Sequence, residues 1–334
     1  MIRWHLRCLA AAGMMAAGPA TAQQAVAQSI TVNARPIANF EIDKKIARFG
    51  ALEFVGGLEL SSSTPEFGSI SAVRFLKPGS DFIGVADNGY WFFGRIEHDA
   101  AGLPLGVSNF TLQQMVDASN RPLKKKVESD AEGLAVKGGV ATVGFERQHR
   151  VAQYSINPAN MAGPLRELDF LVPKNELRRN RGFEALAFAP EAGALKGALV
   201  VVSEKSLDAQ GNVFAAILGG PEKGVFTVKK DDRYDITDSA FLPNGDLLLL
   251  ERSFSMSQGV GMRLRRVAGA DLRSGADAVD GKVIFEAGMT YQIDNMEAMD
   301  VWRSADGATI ISLFSDDNQS MLQRTLYLEF RLVE

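Results

Sequence analysis

Asp238-SAFLPNGDLLLL-Glu251 is the stretch on which the fold turns. It holds two apolar runs around Asn244-Gly245-Asp246, with an acid at each end. Asn-Gly is favoured in tight hairpin turns because both residues tolerate positive φ. A run such as Leu247 to Leu250, apolar at every position, fits a strand buried on both faces. The same unit recurs as Ser71-AVRFLKPGSDFIGVA-Asp87, Glu132-GLAVKGGVATVGF-Glu146, Glu184-ALAFAPEAGALKGALVVVS-Glu204 and Glu297-AMDVWRSADGATIISLFS-Asp316. In chain order the first residues lie 61, 52, 54 and 59 positions apart. Hairpins repeating at that period indicate an all-β fold, a single β-propeller.

Less regular strands follow each hairpin, as in Trp91 to Ile96, Arg150 to Ile156 and Met262 to Val267. Strand-like Ser29 to Val32 and a strand pair around Gly56-Gly57 precede the first copy. Five copies plus these segments predict six blades. The sixth would join the C-terminal strand Arg324 to Leu332 to the N-terminal strands, closing the ring and removing an exposed edge. The expected organisation is a signal peptide at residues 1–22, a leading segment at 23–45 and a propeller domain at 46–334.

Arg3, Arg7, the small apolar run Leu9 to Gly18 and Ala20-Thr21-Ala22 read as a Sec-type signal, which predicts a periplasmic or secreted protein. Cleavage there would remove the single cysteine, Cys8, and with it any disulfide or thiol nucleophile. It would also reduce 36 basic residues to 34 against 40 acidic ones, a formal charge of −6. That balance gives no reason to expect nucleic acid as a partner. No window reaches the roughly 20 apolar residues of a membrane span.

An acid opening the first strand and an acid closing the second lie at the same end of their hairpin. In a closed ring, Glu132, Glu184, Asp238 and Glu297 therefore gather at one mouth with Asp87, Glu146, Glu204, Glu251, Asp316 and Asp317. Ser71 breaks the pattern. Carboxylates this close repel unless cations intervene. Arg147, Lys205 and Arg252 each directly follow a closing acid, so the mouth suits a hard cation on oxygen ligands or an anionic group held by bases. Asn88, Asn295 and Asn318 could add carbonyl ligands. His149 reads as a loop histidine that could serve as acid or base. His98 and Lys124-Lys125-Lys126 read as solvated. Strand-end acids can equally cap neighbouring blades. There is no Gly-x-Ser-x-Gly elbow, P-loop, His-Glu-x-x-His or dinucleotide glycine motif.

Phe67-Gly68 through Asp87-Asn88-Gly89, Asp130-Ala131-Glu132-Gly133 with Gly144-Phe145-Glu146-Arg147, and Gly182-Phe183-Glu184-Ala185 form an ordered series. It continues through Leu250-Glu251-Arg252, Asp294-Asn295-Met296-Glu297 and Ser315-Asp316-Asp317-Asn318. Over residues 50 to 332 this series resembles the phytase-like family of exported bacterial proteins, labelled "esterase-like activity of phytase". Ala185 and Ala298 depart from the glycine that follows Glu132. The resemblance implies a propeller hydrolase acting on phosphate or other esters, with calcium as cofactor. On that reading Glu132, Glu184, Glu297, Arg147 and Arg252 are the candidate catalytic residues. Asp87, Glu146, Glu204, Glu251, Asp316 and Asp317 are the candidate metal ligands, and the partner is a small anionic or ester substrate. The competing readings are a non-catalytic binding propeller of the cell envelope and a lactonase-like propeller with a single metal.

Overall fold

Each of the five hairpins grows into an antiparallel sheet in the computed structural model, which describes residues 25–178 and 182–333. The expected signal peptide lies outside the described residues. Blade 1 comprises Ile70–Phe75, Asp81–Ala86, Tyr90–His98 and Pro104–Gln114, with Gln28–Ser29 on its outer edge. Blade 2 comprises Ala131–Lys137, Val140–Phe145, Arg150–Ser155 and Arg166–Leu168. Blade 3 comprises Phe183–Phe188, Leu199–Leu207, Val213–Ile217 and Gly224–Val228. Blade 4 comprises Asp235–Phe241, Leu247–Ser255, Gly259–Val267 and Lys282–Ala287.

Among the described residues there are five blades, not six. The C-terminal strand Thr325–Leu332 does pair with an N-terminal strand, Leu52–Ser61. It does so inside the fifth sheet, whose inner strands are Asn295–Arg303 and Thr309–Asp316. Asn33–Ile37 then pairs outside Leu52–Ser61. The extra segments thus complete an existing blade rather than building another.

Gly56 and Gly57 do not divide a strand pair, since Leu52–Ser61 runs straight through them. They permit close approach instead. A Cβ on Gly57 would lie 2.7 Å from the Tyr327 carbonyl oxygen, and one on Gly56 would lie 2.9 Å from the Pro104 ring. The hairpin in this region is formed earlier, by Arg48–Phe49 folding back on Leu52–Ser61 through Gly50.

The five innermost strands each touch the next, and the fifth touches the first, so the ring is closed. Five apolar cores fill the five seams. Leu248, Leu250 and Leu264 of blade 4 pack with Met299, Ile311 and Phe330 of blade 5. Val200 and Val202 of blade 3 pack with Leu247 and Leu249 of blade 4. The continuous Leu247 to Leu250 run is thereby explained: alternate leucines serve opposite seams, and all are fully buried.

The channel is stoppered by Arg74 of blade 1. Its guanidinium binds Asp238 of blade 4 at 2.6 and 2.8 Å. It also donates to the carbonyls of Leu186, Ser239 and Met299 on blades 3, 4 and 5. A single side chain is therefore hydrogen-bonded to three other blades, and the mouth above it becomes a blind cavity.

Candidate functional site

The same irregularity occurs at the mouth end of every innermost strand. In each blade the first two strands slip register by one residue, leaving Ser71, Glu132, Glu184, Thr237 and Glu297 unpaired. A β-bulge of this kind turns a side chain out of the pleat, and here it does so five times around one axis. Opposite each bulge the second strand reaches the mouth with Asp87, Glu146, Glu204, Arg252 and Asp316 in turn.

Blade 4 therefore departs from the sequence expectation by one residue. Asp238 is not its mouth acid. The bulge residue is Thr237, whose hydroxyl donates to the Met296 carbonyl at 3.1 Å, while Asp238 sits a step below in the Arg74 stopper. Glu251 is displaced in the same way. Alternation turns it into the sheet, where it is fully buried between Arg263 and Arg265, with the Arg265 contact at 2.6 Å. It is a structural acid and not a mouth ligand. Asp317 also leaves the mouth: its carboxylate accepts from Ser69 N at 3.2 Å, Gln319 N at 2.9 Å and Thr325 Oγ1 at 2.9 Å. Gly68 is required beside it, since a Cβ there would fall 2.4 Å from Asp317 Oδ1.

What remains is a cavity of about 320 Å³ lined by Ser71, Asp87, Glu132, Glu146, Glu184, Glu204, Lys205, Arg252, Glu297, Asp316 and Asn318. Larger hollows of about 900 and 520 Å³ lie toward the outside of blades 1 and 2. The small one is distinguished by its charge. Burial raises Glu132 and Glu184 well above the ordinary carboxyl range, helped by Asp130 for the first and Glu204 for the second. Glu297 is raised to about 7 by burial, with Arg252 opposing. Asp316 is raised to about 8 by burial and by the neighbouring Glu297. Arg252 is held above its ordinary value chiefly by Glu297. Its Nε lies 2.9 Å from Glu297 Oε1, off the axis of a hydrogen bond, and its Nη2 is 3.9 Å from Glu204. Asn295 Nδ2 donates to Glu297 at 2.8 Å, and Asn318 N donates to Asp316 at 2.7 Å.

Two carboxylate triads bridge neighbouring blades: Asp87 with Asp130 and Glu132, and Glu146 with Glu184 and Glu204. Within each, one oxygen per residue lies within 4.8 Å of the others. Oxygen-only donor sets of this kind fit a hard divalent cation such as calcium. The first triad already carries side-chain cations: Lys126 lies 2.5 Å from Asp87 and 3.2 Å from Asp130. Arg147 lies 2.6 Å from Asp130. Arg147 is thus a rim residue pinned to an acid, outside the cavity lining.

Sequence reasoning missed Asp130, buried beside the rim, and read Lys126 as solvated although it reaches the mouth. The available signal was the Asp130-Ala131-Glu132 spacing, which a bulge brings to one face. His149 lines the outer hollow of blade 2 instead of the mouth. His98 is not a free loop residue, because its Nε2 lies 2.8 Å from the buried Glu329 of blade 5. Asn88 forms the turn before Gly89 and donates to the Glu66 carbonyl at 3.2 Å.

A family model described as "Phytase-like: Esterase-like activity of phytase" matches residues 65–319. No curated protein matches the sequence significantly. Among solved structures, the PQQ-bound aldose sugar dehydrogenase of Streptomyces coelicolor is similar at 12% identity and a TM-score of 0.43, covering 90% of this chain and 100% of that one. AofleA from Arthrobotrys oligospora is similar at 10% identity and a TM-score of 0.42, covering 91% of this chain and 87% of that one. Likeness at that level says nothing about chemistry.

Proposed function

Because the chain belongs to the phytase-like family, we propose that it hydrolyses phosphate or other esters at the acid-lined mouth, assisted by a divalent cation. The observation that carries this reading is the convergence of seven carboxylates with Arg252 and Lys205 on one blind cavity, Glu297 titrating near neutrality among them.

Calcium bound to the mouth carboxylates would supply Lewis-acid polarisation of the ester and a more acidic bound water. The chain's own groups divide the rest. Arg252, which stays cationic at any working pH, holds the anionic oxygen of the substrate. Glu297 has an affinity for protons suited to a general base near pH 7, taking one from the attacking water. Asp316, whose carboxyl holds its proton more strongly, suits delivery to the leaving oxygen. Arg74 and Asp238 close the floor, so substrate enters and leaves by one side. An N-terminal export signal would place this chemistry in the periplasm or outside the cell.

The test is a panel of phosphomonoesters, phosphodiesters and carboxylesters, with calcium and with chelator, on wild type, Glu297→Gln and Arg252→Met. Turnover that requires the cation and drops in both variants supports the reading. Background rates throughout, unchanged by either substitution, would sink it. A binding propeller without turnover is the second reading, favoured because no histidine or thiol lines the cavity among the described residues. It would appear as calcium- or ligand-dependent thermal stabilisation without product.

A further inference from the structure

We infer that Ser71 is a specificity-determining residue of the mouth, its hydroxyl donating to the oxyanion end of the substrate opposite Arg252. The inference rests on the hydrolytic reading of the same cavity. Ser71 occupies the bulge of blade 1, the position that carries Glu132, Glu184 and Glu297 in blades 2, 3 and 5. Blade 4 has the other hydroxyl, Thr237, but that one is spent on the Met296 carbonyl. Ser71 is only 6% exposed and lines the cavity, yet its Oγ has no hydrogen-bond partner among the described residues. A hydroxyl this buried is ordinarily hydrogen-bonded. The space it borders is the mouth.

The order of the ring decides what that hydroxyl meets. The closing residue of one blade meets the bulge residue of the next: Asp87 meets Glu132 and Glu146 meets Glu184 in the carboxylate triads, and Arg252 lies 2.9 Å from Glu297. By the same succession Asp316 of blade 5 meets Ser71 of blade 1. Ser69 N holds that junction by donating to Asp317 at 3.2 Å. Arg252 and Ser71 therefore flank blade 5 on either side of Glu297 and Asp316.

The acids nearest Ser71 are already engaged. Asp87, opposite it in blade 1, has Lys126 at 2.5 Å, and Asp316 accepts from Asn318 N at 2.7 Å. A glutamate at position 71, as in three other blades, would add a carboxylate that repels an anion. Serine leaves a neutral donor there instead. The span suits one group, because a cavity of about 320 Å³ is roughly 8 Å across, the length of two hydrogen bonds with the oxygens of one tetrahedral oxyanion between them. A phosphate- or sulfate-like group can then accept from Arg252 and Ser71 at once, whereas the single carbonyl oxygen of a carboxylester reaches only one of them.

Titration calorimetry of the full chain with inorganic phosphate, in calcium and in chelator, tests this without relying on turnover. Ser71→Ala should weaken phosphate binding about tenfold or more and leave calcium affinity unchanged. Its melting temperature should match wild type, because the deleted oxygen bonds to no protein group. Ser71→Thr keeps the hydroxyl, in a residue that blade 4 already carries at its bulge, and should bind phosphate nearly as wild type does. Ser71→Glu, which gives blade 1 the bulge residue of blades 2, 3 and 5, should abolish phosphate binding. Phosphate binding absent from wild type, or unchanged in Ser71→Ala, would overturn the inference. A loss of calcium affinity in Ser71→Ala would overturn it as well, by making Ser71 a cation ligand. Ester turnover in wild type alongside any of these results leaves the hydrolytic reading standing. Phosphate binding that depends on Ser71, without turnover of any ester, would keep the inference and make the mouth a binding site.

Discussion

Replacing Arg74 with methionine isolates the contribution of the axial stopper. The substitution roughly preserves the length of the aliphatic stem and deletes the guanidinium. Asp238, whose side chain is fully buried, loses both charged contacts, at 2.6 and 2.8 Å. It keeps only the amides of Ser239 at 2.7 Å and Met299 at 2.8 Å. Asp300, already raised to about 6 by burial, loses the cation that opposes the shift. Removing one partner of a buried pair costs about 3–5 kcal/mol, and the abandoned carbonyls of Leu186, Ser239 and Met299 push toward the upper end. At about 2–4 °C per kcal/mol for a chain somewhat smaller than this one, the melting temperature should fall by about 10 °C. Scanning calorimetry of wild type, Arg74→Met, Asp238→Asn and the double variant measures the coupling. Because the double variant no longer buries the carboxylate that Arg74→Met leaves without its cation, it should recover part of the loss. A single-variant shift within about 2 °C, or strictly additive losses, would refute the view that one arginine ties the blades together.

Three further outcomes follow from the mouth. In chelator, Glu297 near 7, Asp316 near 8 and the upward-shifted Glu132 and Glu184 bind protons more readily in the folded state than in the unfolded one. The contribution of Glu297 and Asp316 is complete below about pH 4 and is lost as pH rises through about 7–8, and Glu132 and Glu184 act in the same direction. His149, whose proton burial disfavours, works against this trend at the acid end. Melting should therefore fall between pH 6 and 9 in chelator, and calcium should flatten the fall; melting that rises over that range would contradict the assignment. Arg252→Met should lower kcat/KM by about 10²-fold and move the acidic limb of the pH–rate profile upward, because Arg252 restrains the rise of Glu297. An unmoved limb would show that the two are not coupled. Glu251→Gln, which leaves Arg263 and Arg265 short of their buried partner, should cost about 3–5 kcal/mol in denaturant titrations while leaving the kcat of the folded fraction unchanged; a selective loss of kcat would return Glu251 to the mouth.

The repeating hairpin was legible in the sequence because its signals are local: Asn244-Gly245 and Asp306-Gly307 turns, and apolar runs of strand length. Ring closure by the two termini was legible for a general reason, the cost of an unpaired edge. The number of blades was not. Leu52–Ser61 completes the fifth sheet because its partner Thr325–Leu332 also pairs with Thr309–Asp316, and the apolar pattern of these strands does not distinguish that from a separate sheet made by the two termini. The acids of blades 2, 3 and 5 were found because bulge and alternation happen to agree there. The Arg74 stopper was hidden, since an arginine in an alternating strand reads as a solvent-facing position.

Blade 4 shows why the site is harder to read than the fold. Glu146-Arg147, Glu204-Lys205 and Glu251-Arg252 are the same dipeptide to a reader of the sequence. In blades 2 and 3 the acid lines the mouth. In blade 4 the strand is set one residue further along, so Arg252 lines the mouth and the acid turns inward to Arg263 and Arg265. The cause lies in the neighbouring strand: two arginines facing the sheet interior demand an anion, and the buried Glu251 meets that demand at the expense of its place in the ring. Without this exchange Lys205 would be the one cation among the carboxylates that line the cavity, and the mouth would favour cations. With it, the mouth presents one fixed positive charge beside the carboxyl that titrates near neutrality. An ester's anionic oxygen and the proton acceptor that its hydrolysis requires can then meet on the blade 4–5 side, while the carboxylate triads stand on blades 1 to 3.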